Sequence, residues 1–421
     1  MGETTITESS VSKNKPASEG NLWLILLVAW LGWMFDGMEM GFYSVLAAPA
    51  LKELLKIEDA TAIAPTVTHM FALFLLGAAL GGFIFGRLGD KIGRTKTMIL
   101  TIGLYSLCTG LTALTQNVWQ FGLCRFIGAM GLGGEWGLGI ALVMETWPNA
   151  RRPVLAGLLG SAANVGFLVS SLINLAIGGM VSWRYIFAIG LAPALLTLII
   201  RIGVKEPERW MRVRERKERQ DVLQIFEGPY LRKTVVCLIL SSISIVGTWG
   251  IFQLIPTWVN AMVGGLAPDE RARSAMYMAF GQIFGSFIGG PMAEWFGRRI
   301  SFSLYCIGSL ASGLIMYSMV HEYGPFLLGM AVVMGIFTTT FFGWFPLYLP
   351  EIYPTRIRAT GEGLTFNFGR ILAAVAVFNT GYIVKALGGY AQQGFWMSFV
   401  FALGLILIWL VPETKGCELP E

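Results

Sequence analysis

The 421-residue chain is 55% hydrophobic and only 14% charged, with a mean hydropathy of +0.63 and 52 glycines. A soluble protein of this composition could not cover its core with polar surface, so the chain reads as a polytopic membrane protein. Net charge is +5, but the basic residues cluster in alternate loops, which is orientation information and excludes a nucleic-acid-binding stripe.

Residues 1–20 are polar and rich in Ser, Thr, Glu and Lys, and are expected to form a disordered tail. Ala48-Pro49-Ala50 is a weak cleavage-site match. The apolar stretch before it is too long for a signal peptide and contains Asp36 and Glu39.

Twelve apolar runs of roughly 20 residues follow. The first six are expected near 22–46, 66–88, 97–115, 119–143, 154–178 and 183–203. The second six are expected near 233–259, 274–296, 300–320, 324–349, 361–385 and 391–411. Residues 204–232 are charged and are expected to be a surface linker with amphipathic helix. The expected division is therefore tail 1–20, bundle 21–203, linker 204–232, bundle 233–412 and tail 413–421. With both termini inside, the inner segments hold 23 of the 31 Lys and Arg, and the outer loops hold six (Lys52, Lys56, Arg184, Arg271, Arg273, Lys385). This asymmetry predicts cytoplasmic N and C termini.

An internal repeat divides the chain. Gly86-Arg-Leu-Gly-Asp90-Lys-Ile-Gly93-Arg94 follows span 2, and Gly290-Pro-Met-Ala-Glu294-Trp-Phe-Gly297-Arg298 follows span 8, 204 residues later. Glu145-Thr-Trp-Pro148 with Arg152 follows span 4, and Glu351-Ile-Tyr-Pro354 with Arg358 follows span 10, 206 residues later. Two repeats at nearly one offset mean two six-helix halves, an arrangement that places a substrate site at their interface near the midplane.

Span 1 carries two acids, each costing on the order of 2.5–3.5 kcal/mol at bilayer depth. Asp36 and Glu39 are three residues apart, with Tyr43 a turn later, so the three are expected to share a helix face turned to a polar cavity. Two like charges on adjacent turns suit a proton site; a structural pair tied to an arginine is the other reading. Glu135, mid-span 4, reads as a further protonatable group or as half of an ion pair. Arg125, ten residues earlier, lies roughly 15 Å away along the helix, too far to pair with it. Arg370 on span 11 could grip a substrate carboxylate in a bidentate fork or pair with one of these acids. Asn164, Gln253, Gln282 and Asn367 are candidate cavity polar groups, or interhelical glue. Trp344 is a candidate stacking wall.

The five cysteines (Cys108, Cys124, Cys237, Cys306, Cys417) are scattered without a CxxC pair and read as packing residues. His69 and His321 lie near the outer face without ligand spacing. No nucleophile–base pair, Walker sequence or zinc pattern occurs, so no cofactor, metal or enzymatic activity is expected.

The Gly86–Arg94 segment resembles the signature loop between helices 2 and 3 of the major facilitator superfamily, and Glu294–Arg298 resembles its second-half echo. The resemblance spans essentially the whole chain. It implies an all-α membrane protein of twelve transmembrane helices in two pseudo-symmetric six-helix bundles, working by alternating access. It also implies gating roles for Gly86, Asp90, Gly93, Arg94, Glu145, Arg152, Glu294, Arg298, Glu351 and Arg358, and makes Arg125 a partner for an acid on helix 1, with Asp36 within reach by depth. Asp36-Gly37-Met38-Glu39 is similar to the Asp-Gly-x-Asp of carboxylate–proton symporters. Gly131-Leu-Gly133-Gly134-Glu135-Trp136 resembles helix 4 of sialate, monocarboxylate and metabolite proton symporters. Pro412-Glu-Thr-Lys-Gly416 resembles the sugar-porter terminus, and Glu206-Pro-Glu-Arg-Trp210 a degenerate form of the same porters' mid-chain motif.

These resemblances imply a monomeric inner-membrane symporter of protons and a small organic anion, a sialic-acid-like sugar acid or a monocarboxylate. A sugar, polyol or aromatic-acid symporter is the alternative within transport, and a non-transporting receptor the alternative outside it.

Overall fold

The computed structural model describes residues 19–57, 59–177, 180–216, 222–264 and 268–421; the expected tail up to residue 18 lies outside them. The described residues are helical with short connections. In chain order the helices are α1 (Glu19–Leu55), α2 (Ala60–Ile92), α3 (Arg94–Thr112), α4 (Val118–Thr146), α5 (Arg152–Ile177), α6 (Trp183–Ile189), α7 (Ala194–Gly203) and α8 (Glu208–Glu215). They continue as α9 (Gly228–Gly250), α10 (Ile255–Met262), α11 (Pro268–Phe296), α12 (Arg298–Met319), α13 (Pro325–Ile352), α14 (Arg358–Phe378), α15 (Thr380–Leu387), α16 (Tyr390–Ser398) and α17 (Val400–Leu407).

Eight of these stretches are long and apolar enough to cross a bilayer, nine when α14 and α15, bent by 62° at Asn379, count as one span. The other three expected spans are the Thr- and Ser-bearing α3, the pair α6–α7 broken across Gly190–Pro193, and α11, whose first turns are charged. The exposed surface suits lipid. Leu76, Leu80 and Ile84 line one exposed row of α2, and Phe280 and Phe284 do the same on α11. Such apolar faces would be liabilities in water and are satisfied in hydrocarbon.

Two seams join the halves, α2 against α14 and α5 against α11. Both depend on close backbone approach. A Cβ on Gly86 would run into the main chain of Ala359, and one on Gly290 into the main chain of Pro153. Lipid gives helices no hydrophobic drive to associate, so this contact and interhelical hydrogen bonds hold the seams.

The first and last described residues lie on one face, hereafter the terminal face. Trp23 packs edge-on to Trp147 at the end of α4, 5.1 Å between rings, and Arg358 donates to the Pro420 carbonyl. The linker helix α8 lies on this face with Trp210 and Val213 buried and Arg212 and Arg214 outward.

Candidate functional site

At the junction of the halves, α1, α5, α9, α11, α13 and α14 enclose a cavity of about 50 Å³, room for a few waters. Its walls are largely aromatic: Trp33, Phe167, Trp249, Phe342 and Phe366. The polar groups are Asn164, Thr248 and Gln282, and Arg370 is the one charged side chain among the described lining residues. Phe366 is held flat by Trp136 stacked behind it at 3.6 Å, and the Arg370 guanidinium lies 5.9 Å from the Phe366 ring.

Arg370, Asn164 and Gln282 were legible as cavity candidates and do line it. Asn164 is also glue, since its amide donates to Ser286 Oγ (2.8 Å) and to the Gln282 carbonyl (3.3 Å) across the α5–α11 seam. Asn367 lies outside the cavity. It donates to the Gly133 carbonyl (3.0 Å) and joins α14 to α4. Trp344 is no wall either: it is fully buried in the second half, stacked on Tyr348 and donating to the Arg298 carbonyl. Tyr43 donates to the Val67 carbonyl at 2.6 Å and stacks on Phe71. The Gln253 side chain lies outside the described residues.

The acids of α1 do not form a single site. Asp36 (4% exposed) lies within hydrogen-bonding reach of Glu135 (1% exposed) and next to Arg370 across the interface. Neither Glu135 oxygen meets a protein donor. Two carboxyls this close can bond only with a proton on one of them. Glu39 instead takes Arg125 Nη1 (2.6 Å) and Thr109 Oγ1 (2.7 Å) on the same oxygen. Arg125 is enclosed by the rings of Tyr43, Phe74 and Phe187. The expected pairing of Arg125 with Asp36 is thus corrected to Glu39. A three-residue step leaves side chains about 60° apart around a helix, enough to send them into different gaps. α4 also runs antiparallel to α1, so the step from 36 to 39 moves toward Arg125 and away from Glu135.

The terminal face is latched. Asp90, at the end of α2, accepts from the Ala359 amide (3.1 Å), the Thr360 amide (2.9 Å) and the Thr360 hydroxyl, at the first turn of α14 in the other half. These amides are otherwise orphaned helix donors, and the helix dipole favours an anion there. Arg94 pairs with Asp90 (2.8 Å) and Glu145 (3.0 Å) and donates across the halves to the Thr355 carbonyl (2.6 Å). Arg358 reaches back to Glu145 at 2.7 Å. The second copy of the repeat stays within its own half: Arg298 pairs with Glu351 (2.6 Å) and Glu294 (2.8 Å). Arg152 is buried and, among the described residues, makes no ion pair within 4 Å.

Sequence reasoning passed over three acids here. Glu206 accepts from the Thr95 and Lys96 amides (both 3.2 Å) at the start of α3. Glu413 accepts from the Arg298 (2.9 Å) and Arg299 (3.0 Å) amides at the start of α12. Each of the two porter-like motifs therefore supplies a helix-capping acid, Glu206 or Glu413, on the terminal face. The third is Glu362, fully buried on α14 one turn after Arg358. An acid inside an apolar span was its signal.

Chain comparisons agree with this architecture. The family model described as Major Facilitator Superfamily matches residues 22–280, and that described as Sugar (and other) transporter matches 270–416. The chain is 28% identical to the putative niacin/nicotinamide transporter NiaP of Bacillus subtilis, over 97% of this chain and 100% of that one. It is 27% identical to the sialic acid transporter NanX of Escherichia coli, over 91% and 92%. A solved structure of the proton:xylose symporter XylE superposes with a TM-score of 0.78 at 20% identity, covering 95% of this chain and 98% of that one. At that identity the likeness is one of fold.

Proposed function

Because the chain belongs to the Major Facilitator Superfamily, as a multi-pass membrane transporter of small organic metabolites and not an enzyme, we propose that it is a proton-coupled symporter of a small, flat organic monocarboxylate. The observation that carries this is Arg370, a single cation in an aromatic-walled cavity beside Asp36. Arg370 offers a planar fork to a carboxylate, and Trp33, Trp249 and Phe366 offer faces to a ring or conjugated chain. A polyhydroxylated sugar acid, the class named for the NanX relative, needs many hydrogen-bond partners. Thr248 already donates to the Ser244 carbonyl and Asn164 to Ser286, so the cavity better suits cargo like that named for the NiaP relative.

In the proposed cycle the substrate carboxylate draws Arg370 away from Asp36. A second proton then joins the one that the Asp36–Glu135 bond requires and offsets the charge that Arg370 no longer neutralises. With the cavity balanced, the halves rock and the latch parts. The excess of Lys and Arg on the terminal face supports a cytoplasmic side for it, and the bacterial relatives support the inner membrane. One chain supplies both halves, the cavity and the latch, which supports a monomer as the working unit.

Proteoliposome uptake tests each step. Pyridine carboxylate is expected to compete for uptake and sialic acid to compete poorly; the reverse order overturns the cargo assignment. Arg370→Ala is expected to lower carboxylate affinity by at least tenfold, and unchanged affinity removes its role. Asp36→Asn with Glu135→Gln is expected to retain exchange but lose accumulation driven by a pH gradient. Persistent accumulation by that variant sinks the proton site.

A further inference from the structure

Arg358, Glu362, Phe366 and Arg370 recur every four residues on α14, so they follow one inclined row along its surface. The row begins in the latch and ends in the cavity, and Glu362 is its unexplained member. Its side chain is fully buried, and neither carboxyl oxygen meets a hydrogen-bond donor. The groups facing it are Arg358 on its own helix, Glu145 on α4, Arg94 on α3, Asp90 on α2 and Tyr353 beyond the end of α13. The Nη atoms of both guanidinium groups are engaged elsewhere, and Arg94 Nε is the one donor of the two that meets no acceptor among the described residues. Arg358 serves Glu145, Thr355 and the Pro350, Tyr353 and Pro420 carbonyls, and Arg94 serves Asp90, Glu145 and the Gly89 and Thr355 carbonyls. Arg152 interacts with Arg358 and Glu145 of this group and also with Arg209 and Glu351, and makes no ion pair within 4 Å among the described residues. The five-membered cluster therefore holds three acids against two arginines. An ionised, donor-free carboxylate at zero exposure is among the costliest arrangements a protein interior can hold. A neutral Glu362 leaves the cluster balanced.

We propose that Glu362 is a second proton-binding site, separate from the cavity pair. It holds a proton while the terminal face is latched and releases it when the latch opens. Opening parts α14 from α2 and α4 and admits water to the row. The carboxyl O–H bond then breaks, water on that face takes the proton, and the carboxylate becomes hydrated. Closure takes a proton back from the same side. Proton availability on the terminal face thereby sets how readily the carrier opens there: acid holds the latch shut and alkali favours opening.

The test uses the full-length protein in lipid nanodiscs and needs no substrate, so its outcome is independent of the cargo assignment. Infrared difference spectra between the native protein and Glu362→Gln near neutral pH are expected to contain a protonated-carboxyl band that shifts in deuterated water. A carboxylate band in its place overturns the proposal. Spin labels on the terminal ends of the two halves report the open-to-closed ratio against pH. The slope of its logarithm is expected to be smaller by about one in Glu362→Gln, a loss of roughly tenfold per pH unit; equal slopes overturn it. Glu362→Met, apolar and of similar length, guards against a folding artefact. A neutral Glu362 predicts that Met and Gln both leave the melting temperature of the latched protein nearly unchanged. A large drop in both shows that the ionised carboxylate was holding the arginines.

Discussion

The two copies of the repeated loop match within their own halves and differ across the interface. In both, a glycine with positive φ (Gly93 at 120°, Gly297 at 88°) turns the chain into the next helix, a conformation glycine adopts without cost. In both, the following arginine folds back on a carbonyl of the preceding helix, Gly89 or Ala293, and pairs with a glutamate of the second repeat, Glu145 or Glu351. The acids behave differently. The Asp90 side chain is 4% exposed and caps α14 in the other half, whereas the Glu294 side chain is 43% exposed and, among the described residues, bonds only Arg298. The cause lies in the helix each faces. The counterparts of Ala359 and Thr360, 206 residues earlier, are Pro153 and Val154. Proline has no N–H to give and valine no hydroxyl, so the start of α5 offers Glu294 one donor where α14 offers Asp90 three. A sequence repeat thus becomes a one-sided latch through two substitutions on the partner helix.

Glu145→Gln should break this asymmetry most severely. It leaves Arg94 and Arg358 buried without their shared anion, at a cost of about 3–5 kcal/mol. Melting temperature and uptake rate are expected to fall further than in Glu351→Gln, which takes an anion from one arginine, Arg298, and an acceptor from Thr414; a larger loss in Glu351→Gln would make the second copy the dominant latch. Next, Asp90→Ala removes three cross-half hydrogen bonds and is expected to reduce uptake at least tenfold. Glu294→Ala, which loses one exposed pair worth about 0–1 kcal/mol, should stay within about twofold. Equal losses would mean that the two acids do the same work.

Ala359→Pro sharpens the comparison by giving α14 the residue that α5 carries. Proline is tolerated in a first helical turn, so the expected loss is one hydrogen bond to Asp90, about 1 kcal/mol, read as a modest fall in melting temperature that Asp90→Ala abolishes. The smallest effect concerns the tail. Burial raises the Glu413 carboxyl, but the backbone amides of Arg299, Arg298 and Lys415 outweigh it and hold the group below its usual 4.5. A depressed carboxylate contributes stability above its unfolded value and loses it as pH falls through the lower folded one. Proteolysis of residues 413–421 should therefore accelerate only below about pH 4.5, and Glu413→Gln should show the faster cleavage at neutral pH.

Much of the architecture was readable before any coordinates. Twelve apolar runs and two offset motifs marked the helices and the halves, and of the motif residues Asp90, Arg94, Glu145 and Arg358 meet across the interface whereas Glu294, Arg298 and Glu351 stay within one half. These depend on local composition and spacing, which a linear reading preserves. Arg370 and the α1 acids announced themselves by cost, since a charge in an apolar span is rare whatever surrounds it. Glu362 carried the same signal as the second residue of the expected span 361–385 but was not singled out. Trp344 and Tyr43 were misplaced because an aromatic side chain in a membrane helix looks the same in the chain whether it faces a cavity, lipid or core.

By itself the sequence determined which segments enter the bilayer, that the chain is a duplicated six-helix unit, and which buried charges need partners. Only the tertiary structure decided who those partners are. Pairing between helices depends on rotation, crossing and antiparallel offset, and a difference of 60° about α1 separates Asp36 from Glu39. The same holds for the expensive face of span 1. It became two sites, a carboxyl pair beside Arg370 and an ion pair with Arg125, because neighbouring helices close against it at different depths.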